Sequence, residues 1–356
     1  MLAPRANPDL LGHAEAERRF LDAWASGRVG HAWLISGPRG IGKATFAYRI
    51  ARFALAGQTG TDMFGQGGDL ALSSDHPVFR RVASAGHADL RIVERGWADE
   101  RKSRRRGEIT VDDVRGVGDF LALTPAEGGW RVVIIDAADE MNANAANAVL
   151  KTLEEPPRNS LILLVSHSPG RLLPTIRSRC RRLLLRPLPD TLVLDLLERL
   201  QPTMSGEDRA VLARLSGGSI GRAAILAEEG GLDLYRQLTA ILDTLPHLDV
   251  PTLHAFADRV ARSDADNAWR TVTDLLEGWL MRLIRAGGRG DSPQKEEMVA
   301  GEGKTMAALL SVAGVERWLE VWEKVSALFA RADAVNLDRK QALLTAFLAL
   351  ERLAGH

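Results

Sequence analysis

The residues best placed to do chemistry begin in HAWLISGPRGIGKAT, residues 31–45. Gly37, Gly40, Gly42 and Lys43 fit the pattern G-x-x-x-x-G-K, in which backbone N–H groups at a helix N-terminus surround phosphate oxygens and the lysine reaches the outer phosphates. The pattern then requires a hydroxyl to ligate magnesium, but the next residue is Ala44, and Thr45 comes one place late. One residue along a helix turns a side chain by about 100°, so Thr45 is poorly aimed to take over. Such a site also needs an acidic residue at the end of a second strand, and Asp136 closes RVVIID (131–136). Where hydrolysis is fast the following residue is commonly Glu; here it is Ala137. Asp139 and Glu140 lie further on and are expected to point elsewhere. Two polar groups serving one step are thus missing, each of a kind whose removal weakens transition-state stabilisation substantially. Nucleotide binding is a separate question, because the glycines and Lys43 remain.

A second chemistry-bearing stretch is LPTIRSRC (173–180). Arg177 and Arg179 are either ordinary surface cations at a helix end or an arginine finger offered to a neighbouring subunit, which stabilises charge on a transferring phosphoryl group. Spacing alone does not choose between them.

The elements that must position these residues alternate in kind. AWLIS (32–36), RVVIID (131–136), LILLVS (161–166) and RRLLLRP (181–187) read as strands, separated by helical segments such as KATFAYRIARFALA (43–56) and NANAANAVLKTLEE (142–155). Pro156 and Pro157 stop the latter. Continuous apolar strands between helices indicate a parallel sheet covered on both faces. Residues 57–108, rich in glycine and polar residues and ending in the basic run RKSRRRGE, read as partly ordered insertions or surface loops. Solvated loop charge is the commoner explanation of the run 101–106, DNA contact the sharper one. After Pro187 the strands stop. Short helices are expected to about 228, then longer amphipathic ones. The stripes Trp269, Val272, Leu276, Trp279, Leu283 and Val315, Trp318, Leu319, Trp322, Val325, Leu328, Phe329 read as bundle core or a subunit interface, with 287–297 a loop between them.

Bulk composition narrows the class. The chain has 356 residues, enough for two or three domains. Lys plus Arg equals Asp plus Glu at 46 each, so net charge points to neither nucleic acid nor membrane. A single cysteine, Cys180, excludes an intrachain disulfide and fits a reducing compartment. The N-terminal stretch has no apolar signal region and no run approaches a membrane span, so a cytoplasmic location is expected.

HAWLISGPRGIGKAT, EITVDDVRGV, LTPAEGGWRVVIIDAADEMNANAANAVLKTLEEPP and TIRSRC, in that order, together resemble a bacterial clamp-loader subunit of the AAA+ superfamily. The block AANAVLKTLEEPP followed by SRC is far more specific than the loop alone, and the resemblance runs from about residue 5 to about 230. It implies an α/β P-loop AAA+ domain (1–187), a small helical lid domain (188–230) and an all-α collar domain (231–356). It also implies membership of a pentameric loader of the DNA polymerase III holoenzyme, which opens a ring-shaped sliding clamp and places it on primed DNA. The partners would be the motor (tau/gamma) and delta subunits, the clamp and DNA.

Within this resemblance Arg179 of Ser178-Arg179-Cys180 is the trans-acting finger. Gly37, Gly40, Gly42, Lys43, Thr45 and Asp136 become a vestigial nucleotide site, with weak ATP or ADP binding and no hydrolysis. No cofactor is then required and no metal expected: the zinc module frequent in such proteins lacks cysteines here, its place taken by the glycine-rich 57–75 segment. Arg222, in GGSIGRAA, lies one place beyond the usual sensor arginine and reads as structural. Ser166 and His167 end a strand where the family has a polar sensor, and a structural polar role is at least as good. An active AAA+ ATPase, rescued by Thr45 or Asp139, and a free-standing P-loop nucleotide-binding protein are the alternatives from the residues themselves.

Overall fold

The computed structural model describes residues 3–57, 68–98, 105–127, 129–262, 266–290, 292–335 and 337–355. One compact unit runs to Leu192 and takes in Gly218–Gly221; the other comprises Val193–Gly217 and the chain from Arg222 onward.

In the first unit β1 (Ala32–Ser36), β2 (Leu90–Val93), β3 (Arg131–Asp136), β4 (Ser160–Ser166) and β5 (Arg181–Leu184) form one sheet in the order β2-β3-β4-β1-β5. Every neighbouring pair is parallel. Its helices are α1 (Ala14–Ala25), α2 (Lys43–Leu55), α3 (Pro77–Ala83), α4 (Val111–Val114), α5 (Val117–Ala122), α6 (Ala143–Glu154) and α7 (Pro174–Arg179). Side chains alternate across a strand, and here both sets are apolar. Trp33, Ile35, Val132, Ile134, Leu161 and Leu163 pack with Phe20 of α1 and Phe46, Ile50 and Phe53 of α2. Leu34, Val133, Ile135, Ile162 and Leu164 pack on the other face with Val149 and Leu153 of α6 and Ile176 of α7. Full burial of each such side chain is worth about 1.5–3 kcal/mol, so the central strands are the anchor for the loops at their C-terminal ends.

The sequence expectation for 57–108 needs correction. That region contains helix α3 and a genuine sheet strand, β2. β2 is an edge strand, and only Val93 of its four residues is fully buried. It therefore lacks the continuous apolar signature of β1, β3 and β4. Residues 58–67, within the place of a zinc module, and 101–104 of the basic run lie outside the described residues.

The second unit is helical: most of α8 (Asp190–Leu200), then α9 (Gly206–Leu215), most of α10 (Ile220–Glu228), α11 (Gly231–Leu242), α12 (Val250–Val260), α13 (Asp266–Arg289), α14 (Glu302–Val312), α15 (Val315–Val335) and α16 (Arg339–Ala354). The α13 stripe is buried as its spacing predicts: Trp269, Val272, Leu276, Trp279 and Leu283 all lie in the core. Trp269 meets Phe329 of α15 edge-on, with ring centroids 5.5 Å apart, and its indole N–H donates to Asp333 at 2.8 Å. On α15 the buried face is Trp318, Val321, Val325, Phe329 and Ala332. Leu319 is exposed, because one step past Trp318 carries a side chain about 100° off the stripe. α13 also continues through Arg289 into the segment expected as loop. Among the described residues no helix is long and apolar enough to cross a membrane.

A buried polar knot joins three elements of this unit. Glu302 accepts hydrogen bonds from the Tyr235 hydroxyl and from the Met298 and Val299 N–H groups (2.6 and 3.3 Å). Arg282 donates to the Tyr235 oxygen and lies 3.4 Å from Glu302. Removing one member of a buried pair leaves the other charge uncompensated, at a cost of about 3–5 kcal/mol. Glu302→Ala is accordingly expected to lower the stability of the helical unit by that amount in denaturant titrations. A loss below about 1 kcal/mol would show that water replaces the carboxylate easily.

Candidate functional site

The glycine loop joins the end of β1 to the start of α2, and backbone packing shapes it. Gly37 has φ 150°, and a Cβ there would lie 2.3 Å from the Leu185 carbonyl oxygen. Gly221, at the start of α10, donates its N–H to the Gly40 oxygen at 2.9 Å; a Cβ on Gly221 would lie 2.8 Å from the Gly40 Cα. Ser219 Oγ donates to the Arg39 oxygen at 2.8 Å. No side chain fits in these gaps. Ile41 is buried beneath the loop, and its carbonyl accepts from His13 Nε2 at 2.7 Å. Burial keeps the His13 pKa below its ordinary value, so the ring is a neutral donor through Nε2. Leu10, from the same N-terminal arm, lies against Gly42.

Lys43, the first residue of α2, is buried, and its ammonium donates to the Pro38 carbonyl at 2.5 Å. Burial pulls its pKa down to about 8, against the opposing attraction of Asp136 and Asp139. Asp136, at the C-terminal end of β3, is pushed up to about 6 by burial, with Lys43 holding it down. The structure thus brings Gly37, Gly40, Gly42, Lys43 and Asp136 together. Ala44 is half-buried, Thr45 and Ala137 are buried, and Ala44 and Ala137 add no polar atom to the set. The loop suits an anion; a magnesium hydroxyl ligand is missing at position 44.

Asp139 points away from the loop's chemistry. Its fully buried carboxylate accepts from the His167 and Ser168 N–H groups at 3.2 and 3.1 Å, tying the end of β4. Beside it lies a charged cluster that sequence reasoning did not anticipate. Glu140 pairs with Arg95 at 2.9 Å and Arg39 at 3.7 Å, and Arg39 lies 3.1 Å from His167 Nε2. With Arg39 as donor, Nε2 is the acceptor and the ring neutral, consistent with burial lowering its pKa. Ser166 is fully buried and its hydroxyl has no hydrogen-bond partner among the described residues.

The two arginines of the SRC stretch differ. Arg177 is half-buried, with its Nε enclosed and without a hydrogen-bond partner among the described residues. Arg179 is exposed at the end of α7 and pairs with Glu154 at 2.7 Å. Cys180 is buried, its thiol pushed up to about 12 by burial, so it serves as an apolar anchor and not as a nucleophile. Glu154, His13, Leu10 and Arg95 carry no spacing signal towards their partners. They come from separate elements, and only the fold shows the pairing.

The raised pKa of Asp136 has a stability consequence. The native state binds the proton more tightly than the unfolded chain, so this group destabilises the protein as pH rises from about 4 to about 6. Asp136→Asn removes that slope. After allowance for solvent screening and lost attraction to Lys43, the variant is expected to be on the order of 1 kcal/mol more stable than the parent at pH 7 and equal to it near pH 4. Thermal melts at the two pH values check this; a variant less stable at pH 7 would mean that the Lys43 attraction outweighs desolvation.

Comparisons with known proteins identify the family. The family model described as "DNA polymerase III, delta subunit" matches residues 12–189. DNA polymerase III subunit delta' of Pseudomonas aeruginosa is 38% identical over 267 residues, covering 72% of this chain and 72% of the relative. The Escherichia coli subunit delta' is 34% identical over 211 residues, 58% of each chain. A DNA polymerase III subunit gamma/tau from Mycobacterium bovis is 27% identical over 282 residues, 77% of this chain and 46% of the relative. The glycine loop, the strand carrying Asp136, α6 and the SRC turn all lie inside the family match, and the chain belongs to the delta-prime family of DNA polymerase III subunits.

Proposed function

We propose that this chain is a non-hydrolysing stator subunit of a clamp loader, helping to place a sliding clamp on primed DNA and lending Arg179 to a neighbouring ATPase subunit. The observation that carries this is the composition of its own site. The glycines, Lys43 and Asp136 are assembled, while Ala44 and Ala137 stand where a magnesium ligand and a water-positioning carboxylate would be needed. Asp139 does not rescue them, since both its oxygens are committed to backbone N–H groups. The residues left can hold the phosphates of ATP or ADP weakly but cannot drive hydrolysis.

Arg179 supports the other half of the proposal. It sits exposed at the end of a short helix whose two flanks, Ile176 and Cys180, are anchored in the core. A guanidinium presented on a rigid edge suits stabilisation of charge on a phosphoryl group in trans. The gamma/tau similarity makes subunits of that kind the natural neighbours, with a delta subunit, the clamp and primed DNA completing the assembly. A role in replication goes with a cytoplasmic location.

The test is ATP turnover, stimulated by clamp and DNA, in a loader reconstituted from these subunits. Arg179→Ala is expected to assemble normally and to lower kcat at the neighbouring site by about a thousandfold, the scale of a lost arginine finger. An unchanged rate would reduce Arg179 to a surface cation.

A further inference from the structure

The arginine proposed to act in trans is already held in cis. Arg179 is the last residue of α7 and Glu154 the last of α6. Arg179 Nη2 lies 2.7 Å from Glu154 Oε1, and its Nη1 donates to the Thr175 carbonyl one turn back at 3.1 Å. A carboxylate at a helix C-terminus opposes the macrodipole, whereas an arginine there is favoured. Glu154 is therefore poorly placed on its own account and well placed beside a cation. Both helix ends are fixed by core packing, through Val149 and Leu153 on α6 and through Ile176 and Cys180 around α7. The pair thus spans two rigid elements and is not a chance meeting of flexible surface chains.

We infer that Glu154 is a positioning residue for Arg179. The carboxylate and the Thr175 carbonyl set the guanidinium's place and orientation before a neighbouring subunit docks. A free arginine side chain loses considerable rotamer freedom when it is fixed against a phosphate; here much of that ordering is done during folding, so the transition state gains more from the finger. This rests on the reading of Arg179 as the trans finger. Side chains of the pair are 36% and 49% exposed, so the effect has the few-fold size of a partly solvated ion pair.

The experiment uses the reconstituted loader with Glu154→Gln, Glu154→Ala, Glu154→Asp, Arg179→Ala and the Glu154→Ala, Arg179→Ala double variant. Glu154 is exposed at a helix end, and unchanged melting and assembly of each variant are checked first. Glu154→Gln and Glu154→Ala are expected to lower kcat about three- to fivefold with KM for ATP unchanged, and Glu154→Asp to recover part of the loss. In the double variant Glu154→Ala adds nothing to the Arg179→Ala effect. An unchanged or raised kcat in Glu154→Ala, beside a slow Arg179→Ala, would overturn the positioning role and leave the finger standing. A further loss in the double variant would assign Glu154 to helix stability and overturn it too. An unaltered rate in Arg179→Ala would remove the finger, and with it anything for Glu154 to position.

Discussion

Backbone pressed against backbone at the glycine loop is the constraint on which the first unit's chemistry depends. Gly40 meets Gly221, and Gly37 meets the Leu185 carbonyl, at distances that admit no β-carbon. The loop is therefore wedged between the chain leaving β5 and the start of α10, with Ile41 buried beneath it and His13 holding its carbonyl. None of these contacts involves a phosphate. A chain that never turns over nucleotide still needs glycine at these positions to close its own structure. The same holds for Lys43, whose ammonium is engaged by the Pro38 carbonyl. This gives a physical reason for a phosphate-loop pattern in a chain whose positions 44 and 137 are alanine.

The electrostatics follow the same division between scaffold and chemistry. Lys43 and Asp136 each lose hydration on burial, and each partly compensates the other. Asp139, a candidate for rescue by its type alone, is spent on the amides that end β4. Glu140 is occupied by Arg95 and lies near Arg39. Asp139 and Glu140 thus both have structural partners, and Arg179, on α7, is held by Glu154 and the Thr175 carbonyl.

Much of this was legible in the residues. β1, β3 and β4 announced themselves because both faces of each strand are buried and the apolar run is unbroken. β2 did not, because an edge strand with half-buried residues next to glycine and charge looks like loop. The α13 stripe was correct to the residue, while on α15 Leu319 fell outside the buried face that Val321 joins. For the site, the glycines, Lys43, Asp136 and the paired arginines stood out by spacing. The Arg179–Glu154 pair, the His13 contact and the cluster around Glu140 join elements distant in sequence, so no local pattern encodes them. The difference between Arg177, half-enclosed, and Arg179, exposed, likewise exists only once α7 is packed.

The central claim is that this chain's own loop is silent while its arginine works for a neighbour. The most direct measurement is ATP turnover by the reconstituted loader when this subunit alone carries Lys43→Ala, with assembly confirmed by size-exclusion chromatography. The account predicts turnover equal to that of the parent complex, since no productive phosphate contact is lost. A fall of about tenfold or more in kcat with intact assembly, the loss of a real transition-state contact, would contradict it and make this chain an ATPase in its own right.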